Sequence, residues 1–153
     1  MLQRARQDRM IRNPLFVFLL LLIATSATAE PIASGAIQVI DGDTISTRGR
    51  TVRLVGFDTP EGGMNARCES ERNLAASATS KLRQLVAGGG LDLSLVPCAC
   101  PPGTEGTQAC NYGRACGVLK VTGKDVAALL IAEGLAKPYI CSGDRCPRRE
   151  PWC

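Results

Sequence analysis

The chain has 153 residues, with 18 Lys and Arg against 14 Asp and Glu and no histidine, for a formal net charge of +4. The missing histidines exclude Ser-His-Asp and Cys-His nucleophiles, His-ligated metal hydrolases and His general bases, so any reaction must use carboxylates, arginines, a metal or water. A generally basic coat is excluded as well: beyond residue 29 the balance is 14 basic against 13 acidic side chains, or +1, so any anion must be held by a few placed arginines.

Residues 1–29 read as a secretory signal peptide. Arg4, Arg6, Arg9 and Arg12 make a charged start, LFVFLLLLIA an apolar run and TSATA a small-residue site, which predicts cleavage after Ala29. A retained membrane anchor is the rival, but the run is about ten residues where roughly twenty span a bilayer. The expectation is export to the periplasm or the medium, with no stable membrane association after cleavage.

What remains, about 124 residues, is one domain's worth of chain. It divides into a domain at 30–140 and a Cys-rich tail at 141–153 packed on it. AIQVI (36–40) reads as a strand, DGD as a turn, TIST as the return strand, RGR as a second turn and TVRLVGF (51–57) as a third strand. Over 65–86 the apolar residues Leu74, Ala78, Leu82, Leu85 and Val86 recur at steps of three and four, which predicts an amphipathic helix that GGG ends. LDLSLV (91–96) alternates as a strand, PCACPPGTEGTQAC is a loop, and GVLKV (117–121) is the next strand. KDVAALLIAE (124–133) reads as a short helix stopped by Gly134, and LAKPYI as an extended lead into the tail. Three strands, a helix, two strands and a helix suggest an α+β, mainly β domain: a small closed or nearly closed barrel with two or three helices packed outside.

All eight cysteines (68, 98, 100, 110, 116, 141, 146 and 153) follow the predicted cleavage point, and an even number in an oxidising compartment reads as four disulfides. Zinc is the rival for CAC and its neighbours, but there is no Cys-x-x-Cys pair and no histidine. Eight cysteines admit roughly a hundred pairings. The loop at 97–110 suggests that Cys98 and Cys100 bond to Cys110 and Cys116.

Taken singly, the polar motifs have bland explanations. DGDT is a common hairpin turn. DTPE (58–61) can open a helix, with Thr59 as N-cap, Pro60 in the first turn and Glu61 favourable beside it. Arg53 can be a paired charge on a strand face, and YGR (112–114) a turn followed by a solvated charge. Together they suit phosphodiester hydrolysis, which needs charge stabilisation on the phosphoryl oxygens, an activated water and a grip on the anion. Arg53 and Arg114 supply guanidinium forks that stay charged at any working pH. Asp43 and Asp58, with the Thr59 carbonyl, offer oxygen ligands for a hard divalent cation. Glu61 is the best general base in a chain without histidine. One difficulty is that Arg53 and Asp58 are an odd five apart, which strict alternation sends to opposite faces. Either Gly56 hosts a bulge, or the strand ends near Phe57 and leaves Asp58 in a turn; the second is preferred because Thr-Pro cannot continue an interior strand.

IDGDT, RLVGFDTPE, YGR-x-x-G and GKDVAALLIAEGLAKPY, in this order from Ile37 to Tyr139, resemble the thermonuclease, or staphylococcal-nuclease-like, family. The resemblance implies a five-stranded OB-fold barrel and a calcium-dependent endonuclease acting on DNA and RNA to leave 3′-phosphates. By matching position it implies Asp43, Asp58 and Thr59 at the calcium ion (Ca2+), Glu61 as base, Arg53 and Arg114 on the scissile phosphate, and Tyr112 and Tyr139 near the nucleotide. Single-stranded nucleic acid is the preferred partner, and the protein is expected to be a monomer. The chain departs from the family pattern at Cys110-Asn111, where a cation is lost, and in its short Cys-rich end in place of a long helix. The competing readings are a non-catalytic single-strand-binding module on the same fold and a disulfide-stapled domain that only contacts proteins.

Overall fold

Residues 30–153 are described by the structure, a computed structural model. The segment read as a signal peptide, 1–29, lies outside them. Four short strands come first: β1 (Glu30–Ile32), β2 (Ile37–Val39), β3 (Thr44–Thr47) and β4 (Arg50–Leu54). Then follow β5 (Gly56–Asp58), α1 (Glu69–Ala87), β6 (Leu91–Val96) and β7 (Ala115–Val121). β8 (Lys124–Asp125), α2 (Val126–Ala132) and β9 (Lys137–Tyr139) complete the order. The class is α+β, mainly strand: a curled half-barrel sheet, two α-helices among the described residues, and four disulfides.

The large sheet runs β1-β6-β7-β4-β3-β2 with β8 on β7, and β5 and β9 form a separate two-stranded ladder. Every pairing is antiparallel except β4 with β7. Along the meander, Ile45, Val52 and Leu54 point inward and are essentially fully buried, joining Phe57, Leu82, Leu119, Val126 and Leu130 in one core. α1 closes the open side with a stripe of Ala75, Ala78, Leu82 and Val86.

Several boundaries differ from the sequence reading, each for a local reason. The run TVRLVGF is two strands, not one. It breaks at Val55, and Gly56 adopts φ +94°, a conformation closed to ordinary side chains, so that the chain leaves the large sheet and pairs with β9 instead. Alternation is therefore interrupted at Gly56, and Asp58 is not a turn residue: it ends β5 opposite Lys137. The expected helix over 65–86 begins at Glu69, because residues 63–65 form a single 3-10 turn and Cys68, bonded to Cys153, is extended. The DTPE segment opens no helix, since residues 59–62 are irregular. The second helix starts at Val126: Lys124 and Asp125 still pair with β7, and the Asp125 carboxylate caps it by accepting from the Ala127 N–H at 2.8 Å. β1, which the sequence reading did not include, adds a strand beside β6.

The disulfides Cys98–Cys116 and Cys100–Cys110 close the 97–110 loop. Cys68–Cys153 and Cys141–Cys146 fasten the tail. No free cysteine is present among the described residues, so the approach of Cys68, Glu71 and Cys153 offers no thiolate for zinc. The tail is pinned further by Lys137, whose Nζ donates to the Pro151 carbonyl at 2.7 Å and lies 4.5 Å from the Trp152 ring centre. Among the described residues no helix is long and apolar enough to cross a membrane.

Candidate active site

The turn between β2 and β3 holds Asp41 and Asp43 at the mouth of the half-barrel. Asp41 accepts from the Asp43 N–H at 3.1 Å, a local bond that aspartate makes readily in turns, and the Asp43 carbonyl accepts from the Leu54 N–H at 2.7 Å. The turn is thus tied to the end of β4, the strand that carries Arg53, whose ladder partners are Thr44 and Cys116. The glycine between the two aspartates is required by close packing: a Cβ on Gly42 would lie 2.9 Å from Thr59 Oγ1 and 3.0 Å from the Ala78 Cβ.

Asp43 is only 3% exposed and Asp58 4%. Their shared partner is Arg53, whose Nη1 bonds Asp43 Oδ1 and whose Nη2 lies 3.2 Å from Asp58 Oδ1. Asp43 also accepts from the Thr44 hydroxyl at 3.0 Å, the Thr59 hydroxyl at 2.9 Å and the Thr59 N–H at 3.4 Å. Burial is the largest influence on Asp43 and pushes it up to about 6, against the pull of Arg53 and the threonines; the Asp41 charge adds to the rise. Thr59 therefore belongs to the site, meeting Asp43 through its hydroxyl and N–H.

Arg114 enters from the turn before β7. Asn111, Tyr112 and Gly113 all have positive φ, and this tight left-handed turn aims Arg114 back across the cleft. Its Nε and Nη2 donate to the Asn111 carbonyl (3.0 Å) and side-chain oxygen (2.8 Å), and its Nη1 donates to Thr44 Oγ1 (3.3 Å). All three acceptors are neutral, so the guanidinium is oriented while its charge stays available to an anion. Burial and the neighbouring Arg53 lower its pKa, but it remains a strong cation. Tyr112 stands exposed beside it, with the Arg114 guanidinium 5.6 Å from the ring centre.

Glu61 sits on the opposite rim. Its backbone N–H donates to buried Glu71 at 3.3 Å, and Glu71 also accepts from the Arg67 N–H at 2.7 Å, so one carboxylate shapes the whole 61–67 loop. The Glu61 carboxylate accepts from Arg149 Nη1 at 2.5 Å, and Arg149 Nε lies 3.3 Å from Asp58 Oδ1. Burial pulls Arg149 down, but Asp58 and Glu61 outweigh it and hold its pKa above the ordinary value.

A cleft of about 510 Å³ is lined by Asp41, Asp43, Arg53, Thr59, Glu61, Tyr112, Arg114 and Arg149, among others. A second groove of about 440 Å³ adjoins it and shares Arg53, Tyr112, Arg114 and Arg149; Tyr139, Ile140 and the Cys98–Cys116 disulfide line its far side. The structure thus brings Asp43, Arg53, Thr59, Glu61 and Arg114 onto one cavity, with Asp58 behind Arg53 and Tyr112 on the wall. Tyr139 is farther off, in the second groove, its ring centre 5.9 Å from the Arg149 guanidinium. The sequence reading missed four contributors. Asp41 stood in the quoted DGD, and Asn111 directly precedes Tyr112. Glu71 lay on the predicted helix. Arg149 carried no signal, because only the Cys68–Cys153 bond shows that the tail returns to the site.

Oxygen donors without nitrogen or sulfur suit a hard divalent cation such as calcium. Two buried carboxylates sharing one guanidinium lie within reach of a single cation, so the residues present fit that group. Fold and site together define a disulfide-stapled, half-barrel protein whose polar cleft is lined by three acids and three arginines, with a fourth acid, Asp58, behind Arg53. The chain matches no protein-family model. No curated protein matches it either.

Proposed function

We propose that this protein is an exported, calcium-dependent endonuclease of the thermonuclease kind, built on an OB-fold-like five-stranded barrel. It acts as a monomer on DNA and RNA, favours single strands, has little sequence specificity and leaves 3′-phosphates. The carrying observation is the convergence of Asp43, Arg53, Thr59, Glu61 and Arg114, read from four separate stretches of sequence, on one cleft with Asp58 against Arg53. In a chain that is nearly neutral beyond residue 29, this is where an anion would meet placed guanidinium groups.

Asp43 and Asp58 would hold the calcium ion, with Asp41 close by and the Thr59 carbonyl as a further ligand. A calcium ion there would supply positive charge near the phosphoryl oxygens and would offset the acids that Arg53 now bonds. Arg114, pre-aimed by Asn111 and Thr44, donates paired hydrogen bonds to the phosphoryl oxygens, and Arg53 faces the same oxygens from the floor. Glu61, on the rim and half exposed, takes the proton from the attacking water. Tyr112 offers a ring face to a base, and Tyr139 lines the groove along which a strand would continue. Such contacts touch backbone and base planes rather than base edges, which accounts for low specificity.

Glu61→Gln tests the reading. With calcium present, hydrolysis of single-stranded DNA should fall by about 10² to 10⁴, the usual scale for a general base, while oligonucleotide binding persists. Wild-type digestion that is the same with calcium and with chelator, or a Gln variant that cuts normally, sinks the assignment. A pure binding module would bind equally well with either residue and cut with neither.

A further inference from the structure

Between its covalent anchors the C-terminal tail sends one side chain into the acidic cleft. Arg149 is the residue that enters, bonded to Glu61 at 2.5 Å and lying 3.3 Å from Asp58. Around it the tail is held from both sides. Cys141–Cys146 closes the chain before it; Lys137 grips Pro151 and Trp152, and Cys153 is bonded to Cys68 after it. A segment without regular structure is thereby fixed at its ends, while the arginine side chain itself stays 45% exposed.

The charge arrangement says what this arginine is for. Asp41, Asp43, Asp58 and Glu61 stand around the cleft, and Arg53 is committed to two of them. With Arg114 alone left over, a polyanion would face a net repulsive surface. Arg149 reduces that excess from two negative charges to one, and it lines both the acidic cleft and the adjoining aromatic groove. It stands where the strand on one side of a cleaved phosphate would pass from one to the other. Its Nε stays beside buried Asp58, but its Nη1 bond to Glu61 joins two half-exposed side chains, a weak attachment that a phosphate can displace while the Asp58 contact remains.

We propose that Arg149 is a substrate-binding residue: it takes a backbone phosphate of single-stranded nucleic acid next to the cleaved one, and in doing so releases the Glu61 carboxylate. The Cys68–Cys153 bond is the device that presents it. This inference rests on the nuclease reading of the same cleft, and it adds the tail as a working part of the substrate channel.

The test uses the full oxidised protein and a fluorescein-labelled dT12 oligonucleotide. Binding is measured in chelator over a series of salt concentrations, and initial rates in calcium. Removing one phosphate contact to a single strand lowers the slope of log affinity against log salt by about 0.7. Arg149→Ala should show that drop, with kcat/KM falling about tenfold and most of the loss in KM. Arg149→Lys should keep the wild-type slope, because the charge remains. Cys68→Ser/Cys153→Ser should lose slope like the alanine variant, because the tail is no longer held. An alanine variant with the wild-type slope and KM overturns the proposal, and so does one that binds more tightly, which would make Arg149 a plug. Wild-type protein that binds dT12 but never cuts it overturns the nuclease reading and leaves the salt slopes to decide this one. Wild type that neither binds nor cuts overturns both.

Discussion

Replacing Arg53 by alanine separates two accounts of the acidic cleft, one in which Arg53 is an ordinary strand charge and one in which it stands in for a cation. Asp43 and Asp58, 3% and 4% exposed, both bond this guanidinium, and among the described residues the only other cation bonded to either is Arg149, on Asp58. Two carboxylates bonded to one guanidinium repel each other by a few kcal/mol at an effective dielectric near 20. Breaking a buried ion pair from one side costs about 3 to 5 kcal/mol. Arg149 still screens Asp58, so the expected loss lies at the lower end, about 3 kcal/mol at pH 7. Urea unfolding of oxidised wild-type and Arg53→Ala protein, in chelator, measures it.

The pH dependence fixes the cause. Asp43 is already raised from 3.8 to about 6 by its burial. A carboxyl whose pKa rises on folding contributes nothing when both states are protonated, below about pH 4. It opposes folding increasingly as the pH climbs from 4 to 6, and fully above that. Wild-type protein without calcium should therefore gain stability from this group on acidification from pH 7 to 5. The alanine variant should gain more, because its Asp43 has lost the guanidinium that held it down. Calcium should act in the same direction as acid, stabilising the variant more than the wild type as the concentration passes Kd. A variant as stable as wild type at pH 7, or destabilised equally at pH 7 and pH 5 and indifferent to calcium, refutes the reasoning.

Two further substitutions probe the supports of the site. Gly42→Ala places a methyl group 2.9 Å from Thr59 Oγ1 and 3.0 Å from the Ala78 Cβ, so overpacking should destabilise the protein by about 1 to 3 kcal/mol and weaken calcium binding; an unchanged melting temperature would disprove the tight approach. Asn111→Gly removes the 2.8 Å acceptor that orients Arg114 Nη2 and should lower kcat/KM by about tenfold with little change in melting temperature, because glycine accepts the positive φ at 111 and the backbone carbonyl still holds Nε. Kinetics matching the wild type would mean that Thr44 and that carbonyl suffice.

The sequence was most informative where chemistry is local. Alternation along 91–96, the strand-turn-strand run at 44–54, the three- and four-residue steps from 74 to 86 and the stop at GGG correspond to elements that the fold contains, and the loop at 97–110 pointed to the set of four cysteines that close it. Boundaries were less legible, because they depend on partners distant in sequence. Gly56 ends β4 only because β9 is there to receive the redirected chain, and α1 starts late because Cys68 is bonded to the far end of the protein. The irregular 59–62 segment shows the same limit. Its residues fit a helix start in isolation, yet the Asp43 carboxylate offers the Thr59 hydroxyl and N–H a better buried partner. Asp43, Arg53, Thr59, Glu61, Tyr112 and Arg114, read from short motifs, line the cleft, Asp58 lies behind Arg53 and Tyr139 in the second groove, whereas Arg149, Glu71 and Asn111 act through contacts that no spacing rule encodes.

The cleft also bears on why a domain of this size carries four cross-links. Apart from Arg53 and Asp58, which stand on strands, its working groups stand in or directly beside irregular backbone: the 40–43 turn, the 59–62 loop, the left-handed 111–113 turn and a tail without helix or ladder. Each ordered residue in such segments gives up conformational entropy of about 1 to 2 kcal/mol without ladder hydrogen bonds in return. Cys98–Cys116 joins the loop to the strand residue opposite Arg53, Cys100–Cys110 ends one residue before Asn111, and Cys68–Cys153 closes the circuit through the tail that delivers Arg149. Stability alone would not require Cys98–Cys116, Cys100–Cys110 and Cys141–Cys146 all to place cysteines on the wall of the groove that adjoins the cleft. Their placement fits a division of labour in which the half-barrel supplies the core, and the disulfides keep like-charged acids and their arginines from relaxing apart.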